Sequence, residues 1–162
     1  MTIDPISPPP RPLPALLTEV KMAAVRKLQA RLAELGHPNV REGYGCVFGF
    51  IDIEKGSRLT DLAEASGFTK QAVGEAVSEL EKHGYVERLP DPTDGRAKII
   101  KLTEWGTDAV VKGRRVFAEI EAEWANQLGA ELLASLREAA TKIAALEGAP
   151  VDAAGRRRAA AA

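Results

Sequence analysis

The sequence predicts a mainly α-helical protein with one small β-hairpin near its centre. Apolar residues recur every three or four positions over most of the chain, as in helices with one buried face. Two β-like runs, YVERL and AKIIKLT, flank the polar segment PDPTDGR and predict a hairpin with a long loop. At 162 residues the chain is long enough for one domain with a core but too short for two ordinary domains.

The N-terminal part of the chain is predicted to contain an arm and two helices. Residues 1–12 are rich in proline, which favours extended or disordered backbone, so we expect a disordered arm there. Apolar periodicity predicts one long helix over residues 13–35 and a second over 41–54. We therefore expect the N-terminal helices of residues 13–56 to take part in dimerisation and to serve as a linker.

Capping residues predict where the next helices begin and end. Thr60 is the expected N-cap of a short helix that Gly67 ends. Thr69 is placed to cap a second helix that runs to Gly84, and Thr103 to cap the helix after the hairpin. The order helix, turn, helix, hairpin follows.

The apolar stripes of the terminal helices indicate that the chain pairs with a second copy of itself. The helix-turn-helix and hairpin occupy residues 57–103, here called the winged region, and two further long helices are predicted over 104–148. Residues 149–162 are predicted to form a disordered tail. The apolar stripes of the long helices extend beyond what so small a winged region covers, so we expect a homodimer.

Charge and cysteine content limit the possible partners and compartment. The 22 basic and 23 acidic residues give a net charge of −1, so a nucleic acid must be held by a local patch. The single cysteine, Cys46, excludes an internal disulfide and fits a reducing compartment. Neither an export signal nor a membrane span is predicted, and we expect a cytoplasmic protein.

The outward face of the helix after Gly67 suits the major groove of DNA. Gln71 matches an adenine edge, Glu75 can accept from the amino group of cytosine, and short neighbours allow close approach. The N-terminus of this helix is suited to contact a DNA phosphate, because its backbone N–H groups point outward there. The alternative is that these are ordinary solvent-exposed residues. The predicted DNA contacts on this helix are Thr69, Lys70, Gln71, Gly74, Glu75 and Ser78.

The hairpin has residues that suit a DNA-contacting wing. Arg96, predicted at the tip, suits a narrow minor groove, with Asp94 accepting from its guanidinium and Gly95 allowing the bend. Arg88 and Lys98 are expected near phosphates. A merely solvated turn is the alternative, and the combination of helix-turn-helix and hairpin favours the DNA-binding interpretation.

The segment SRLTDLAEASGFTKQAVGEAVSELEKHGYVERLPDPTDGRAKIIKLTEWG resembles the winged helix-turn-helix core of the MarR family of bacterial transcription regulators. The resemblance rests on the family pattern LA…G.T….V…L…L…GYVER..DP.D.R…..LT..G. It implies an obligate homodimer built by the terminal helices, a pseudo-palindromic operator, and release by a small ligand or by oxidation. The resemblance also implies that Asp94 and Arg96 act as DNA-contacting residues of the wing. It implies that residues 69–83 form the recognition helix.

Two residues depart from the family pattern. Many members have arginine at the position of Glu75 and a hydroxyl residue at that of Gly74. From Arg58 to Thr103 the chain has seven basic and eight acidic residues, so the winged region is not basic on average. We therefore expect few phosphate contacts and a strong dependence of binding on salt.

Family effector pockets lie between the dimer helices and the winged region. An aromatic acid there would use arginine as its counter-ion and aromatic rings as walls. The stronger alternative is that the aromatic residues belong to the core and the arginine to the solvated surface. Cys46 is expected to be a buried, inert thiol. The candidate pocket residues are His37, Arg41, Tyr44, Phe48 and Trp105.

No enzyme, metal or cofactor is predicted. The two histidines, His37 and His83, lack ligand neighbours at helical spacing, and the chain contains no phosphate loop, dinucleotide motif or nucleophile elbow. The leading hypothesis is a dimeric regulator of transcription, more specifically a repressor, that binds double-stranded DNA; the hypothesis includes its release from DNA by a small aromatic effector. The alternative is a winged-helix module that binds proteins and has a weakened DNA face.

Overall fold

The computed structural model describes residues 11–148 of the chain. The predicted arm at residues 1–12, apart from its last two residues, and the predicted tail at 149–162 lie outside this range. A 3₁₀ turn, Glu42–Tyr44, directly precedes the short helix Gly45–Phe48. The elements are α1 Leu13–Glu34, α2 Gly45–Phe48, β1 Ser57–Arg58, α3 Leu59–Ser66, α4 Lys70–Lys82, β2 Val86–Asp91, β3 Asp94–Leu102, α5 Glu104–Leu128 and α6 Ala130–Leu146.

The fold is mainly α-helical with a small antiparallel sheet of strand order β1-β3-β2. The predicted hairpin is present as β2 and β3, but its predicted long loop is wrong. Asp91 faces Asp94 across the ladder, which leaves only Pro92 and Thr93 as the turn. The polar residues that indicated a loop instead extend both strands, because backbone pairing does not require apolar side chains. β1 was not predicted, since two residues are too few to show alternation.

Two of the three predicted N-caps are confirmed. The hydroxyl oxygen of Thr69 accepts from the backbone N–H of Ala72 at 3.2 Å, and that of Thr103 accepts from Gly106 at 3.0 Å. The prediction for Thr60 is wrong because α3 already begins at Leu59, which places Thr60 inside the first turn. Gly67 ends α3 in the left-handed conformation, at φ +73°, as expected for a helix C-terminus.

The helix predicted over residues 41–54 is also wrong. Only the 3₁₀ turn and the four residues of α2 are helical there. Gly45 and Gly49 disfavour helix. The carboxylate of Asp52 accepts from the backbone N–H groups of Glu54 and Lys55 at 2.9 and 2.8 Å, and this local turn competes with a continued helix.

The core lies beneath α4 and the base of the hairpin. Tyr85, Leu80, Val77 and Leu62 are almost fully buried there. The long helices α1, α5 and α6 are less well covered than this core. No residue of α6 is buried, and apolar side chains remain exposed on all three helices. The exposed large apolar residues of α1, α5 and α6 are Leu13, Leu16, Leu17, Val20, Met22, Trp105, Val111, Phe117, Leu128, Leu132, Leu136, Ile143 and Leu146.

Candidate nucleic-acid interface

Helix α4 has one buried face and one exposed polar face, as the sequence predicted. Val73 and Val77 are fully buried, whereas Gln71, Glu75 and Ser78 are exposed. Gly74 is half-buried, because the side chain of α3's first residue lies nearby. The exposed face is therefore free to contact a flat partner or a groove.

The N-terminus of α4 is open to solvent. Thr69 and Lys70 are both exposed, and the Thr69 hydroxyl caps the first turn. The first backbone N–H groups of a helix and its dipole favour anions, so this end suits a phosphate group. Lys70 forms no ion pair with any residue in the described range 11–148.

Hydrogen bonds organise the side chains on the outer face of α4. Nε2 of Gln71 donates to Oε1 of Glu75 at 3.1 Å. The Ser78 hydroxyl donates to the carbonyl oxygen of Gly74 at 2.9 Å and accepts from Nη2 of Arg88 at 3.0 Å. Ser78 is thus engaged on both sides, while Gln71 and Glu75 each keep groups that can bind a partner.

Arg88 connects β2 to α4. Its Nη1 lies 3.0 Å from Oε2 of Glu81, in addition to the bond to Ser78. The guanidinium therefore has partners within the chain, at the edge of the face formed by Gln71, Glu75 and Ser78. Its predicted contact with phosphate stays a prediction, and such a contact requires Arg88 to leave at least one partner.

The hairpin presents Arg96 to solvent, although not in the predicted manner. Arg96 lies on β3 beyond the Pro92-Thr93 turn, so its predicted position at the tip is wrong. Asp94 accepts from the backbone N–H of Arg96 at 3.0 Å and not from its guanidinium. Gly95 has no left-handed backbone, and a Cβ there would meet nothing within 4 Å. Arg96 and Lys98 are both exposed.

A buried carboxylate that the sequence analysis did not single out fixes the hairpin turn. Asp91 is 5% exposed, and its Oδ2 accepts from Nε of Arg58 at 2.6 Å. Its Oδ1 accepts from the backbone N–H and the hydroxyl of Thr93 at 2.8 and 2.7 Å. The Thr93 hydrogen bonds and the Arg58 guanidinium lower the pKa of Asp91 to about 2. We call Arg58, Asp91 and Thr93 the turn latch; the Asp-Pro pair in DPTDGR was the available sequence signal.

The five predicted pocket residues do not line one cavity. Arg41 and Phe48 border a cavity of about 770 Å³ between α1, α5 and the segment around α2. His37 and Trp105 lie apart from it, with ring centroids 4.1 Å apart. Tyr44 is buried and meets Phe48 edge to face at 6.4 Å. Whether an effector occupies the cavity stays a prediction.

His37 instead joins α1's end to α5. Its ring is fully buried, and Nε2 lies 2.8 Å from Oδ2 of Asp108. Lys112, whose Nζ is 2.7 Å from the same carboxylate oxygen, and His37 together lower the pKa of Asp108. The Tyr85 ring lies 5.8 Å from that of His37, so the cluster connects the long helices with the winged region.

Cys46 is a buried thiol at the edge of the cavity. Its Sγ donates to the carbonyl oxygen of Gly43 at 3.1 Å, and burial raises the pKa of the thiol. A raised pKa lowers the thiolate fraction and with it the reactivity of the thiol.

Between residues 11 and 148, no group of three or more potential ligands is arranged to hold a metal ion. No helix in this range is long and apolar enough to cross a membrane.

The arrangement of α3, α4 and the β2-β3 hairpin defines a winged helix-turn-helix protein. Residues 44–97 match the model of the MarR family. The winged region of the chain is therefore similar to that of the MarR family, the resemblance that the sequence predicted. No curated protein matches the chain.

Solved structures support the same fold. E. coli MarR in its apo form has a TM-score of 0.65 and 24% identity, with 82% of this chain and 96% of that chain covered. The transcriptional repressor CouR, bound to a 23-mer DNA duplex, has a TM-score of 0.68 and 20% identity, covering 82% and 92%. A mutant of S. aureus MepR bound to an oligodeoxyribonucleotide has a TM-score of 0.54 and 23% identity, covering 84% and 98%. The chain thus has the fold of transcription regulators that include DNA-bound examples.

Proposed function

We propose that this protein is a homodimeric, sequence-specific DNA-binding regulator of transcription. The observation that carries the proposal is that the exposed polar face of α4 lies beside a hairpin with an exposed arginine. The 3.0 Å hydrogen bond from Arg88 to Ser78 joins β2 to this face. A recognition helix with an adjacent hairpin can contact the major groove and the flanking minor groove together.

Each part of the surface has a distinct role in this proposal. Gln71 and Glu75 contact base edges in the major groove, and Gly74 allows close approach. Thr69 and Lys70 hold a phosphate at the start of α4. The guanidinium of Arg96 enters the minor groove, Lys98 contacts phosphate, and Asp94 shapes the backbone next to Arg96. Ser78 and Arg88 border the same surface.

A second copy of the chain is proposed to cover the long helices. One protomer leaves apolar side chains such as Leu17, Leu132 and Leu136 exposed, and α6 buries none of its residues within a single protomer. Apolar surface of this extent is typical of an oligomeric interface. A twofold dimer would bind a pseudo-palindromic operator, with half-sites about 10 bp apart if the two helices occupy consecutive major grooves.

Repression and release by an effector complete the proposal. A dimer seated on an operator blocks polymerase by occupancy, and CouR, a structural relative, is itself a transcriptional repressor. The cavity between α1 and α5 is largely apolar, and Arg41 at its border offers a counter-ion to a small aromatic acid. Such a regulator acts in the cytoplasm, where bacterial DNA lies.

The alternative, a protein-binding module with a weakened DNA face, is favoured by the charge of the winged region. Seven basic and eight acidic residues leave it without a positive average, and the guanidinium groups of Arg58 and Arg88 are already paired. Glu75 adds a negative charge on the outer face of α4. The exposed Arg96, Lys98 and Lys70 favour the DNA-binding function.

Fluorescence anisotropy with DNA from upstream of the protein's own gene tests the proposal. We expect tight binding to this duplex, weak binding to a scrambled duplex, and a loss of about tenfold or more in affinity for Arg96→Ala. Arg115→Ala is the matched control, since it removes an exposed guanidinium from α5. Light scattering should give a dimer for all three proteins. Equal, weak binding to both duplexes and no effect of Arg96→Ala would support the protein-binding module.

A further inference from the structure

We propose that Gln71 and Glu75 act as one recognition unit that selects a cytosine next to an adenine in the major groove. The inference rests on the proposed DNA-binding function and specifies the sequence that the surface would recognise. It starts from the hydrogen bond between Nε2 of Gln71 and Oε1 of Glu75, 3.1 Å long, which joins two exposed side chains one helical turn apart.

This hydrogen bond leaves a defined set of free groups. An ionised Glu75 can only accept hydrogen bonds, and its Oε2 has no partner among the described residues. Gln71 keeps its carbonyl oxygen and one amide N–H, which match the N6 amino group and N7 of adenine. Cytosine offers Glu75 an amino donor, whereas guanine and thymine offer acceptors that repel a carboxylate. Adenine is a weaker match for Glu75, because its acceptor N7 lies beside the amino group.

The spacing indicates that the two side chains contact neighbouring bases. Their bonded polar ends are 3.1 Å apart, and adjacent bases along a strand are separated by about 3.4 Å. Ser78, the next exposed residue along the face, has its hydroxyl engaged with Gly74 and Arg88. Gln71 and Glu75 are therefore the side chains of this face with the most free groups for base recognition.

The negative charge of Glu75 makes the selection stricter. At a sequence without a suitably placed amino group, the carboxylate loses water contacts, gains no hydrogen bond and faces the negative potential of the DNA. At the preferred sequence, the cytosine amino group compensates for part of this cost. Glu75 thus combines attraction to one sequence with repulsion from others, which increases discrimination at the expense of general affinity.

Selection from a randomised duplex library with the full chain tests this inference. We expect the wild-type protein to enrich adjacent cytosine and adenine once in each half-site. Glu75→Gln should reduce the preference for cytosine by about tenfold. Gln71→Ala should remove the preference for adenine and also weaken that for cytosine, because Glu75 is no longer held in place. Glu64→Gln, which removes an exposed charge from α3, is the control and should keep both preferences.

Two results separate failure of this inference from failure of the proposed function. If Glu75→Gln binds all sequences more tightly by the same factor and the base preference is unchanged, Glu75 only repels phosphate. The recognition unit is then refuted, although the protein still binds DNA. If the wild-type protein enriches no sequence and binds every duplex weakly, the proposed function and this inference both fail.

Discussion

Replacing Glu81 by glutamine should increase both the affinity for DNA and its dependence on salt. Glu81 holds Arg88 at 3.0 Å beside the outer face of α4, where Arg88 also contacts Ser78. Glutamine keeps the length of the side chain but removes the charge. Arg88 is then free to exchange this partner for a DNA phosphate.

The size of the effect follows from the number of cations that are free to contact phosphate. Lys70, Arg96 and Lys98 are exposed and lack ion pairs within residues 11–148, which gives six contacts in a dimer and a slope of log K against log salt of about −5. Release of Arg88 adds two contacts and changes the slope to about −7. Between 50 and 200 mM salt the loss of affinity should grow from about a thousandfold in the wild type to about ten-thousandfold in Glu81→Gln.

Anisotropy titrations at four or more salt concentrations measure both slopes. Glu64→Gln is again the control, since it changes the net charge by the same amount without releasing an arginine. An increase that is equal in both variants would mean that net charge alone is responsible. If the slope of Glu81→Gln equals that of the wild type, Arg88 does not reach phosphate, and the reasoning is refuted.

Three further predictions concern the stability of the fold. His37→Ala should lower the free energy of unfolding by about 2–3 kcal/mol, because removing a fully buried ring leaves a cavity and ends the hydrogen bond to Asp108, whose carboxylate keeps Lys112 as its partner; an unchanged thermal midpoint would contradict this. Asp91→Asn should speed amide exchange in the hairpin turn. In the wild type, protection by the latch should persist above about pH 4 and be lost as the pH falls towards 2, because the latch lowers the carboxylate's pKa from 3.8 to about 2. Constant protection down to pH 2 would rule out this role. Gly106→Ala should destabilise by about 3 kcal/mol, since the new Cβ would lie 1.9 Å from the carbonyl oxygen of Tyr85. Gly113→Ala, in the same helix, would place its Cβ in ordinary van der Waals contact with Leu28 and Leu32 at 3.8 and 3.9 Å, so it should stabilise by about 0.5–1 kcal/mol, and thermal denaturation of both variants checks the opposite signs.

Local signals in the sequence were sufficient for most of the fold. Long apolar stripes predicted α1, α5 and α6, because many turns repeat the same spacing. Thr69 and Thr103 were recognisable as caps, since each is followed at once by its own helix. The helix predicted over residues 41–54 was wrong, because the apolar residues of this segment fit a helical spacing although its glycines and Asp52 favour turns.

The geometry of the candidate site depended on contacts between distant residues. Arg58 and Asp91 are 33 positions apart, and nothing in the sequence near either residue indicates that they form an ion pair. The pairing of Arg88 with Glu81 likewise depends on how β2 packs against α4. Sequence reasoning located the exposed residues of α4 and the hairpin correctly, but it could not show which charged groups were already neutralised within the chain.

This neutralisation affects the kind of DNA recognition that the surface supports. Of the three arginines in the winged region, Arg58 is held by Asp91 and Arg88 by Glu81, while Arg96 remains free. Attraction to DNA of any sequence depends mainly on such free cations, so it should be weak here. Hydrogen bonds to base edges do not depend on net charge, and their contribution is therefore a larger share of the total binding energy. A winged region with few free cations and a carboxylate at Glu75 should consequently bind random DNA poorly while still discriminating strongly between sequences.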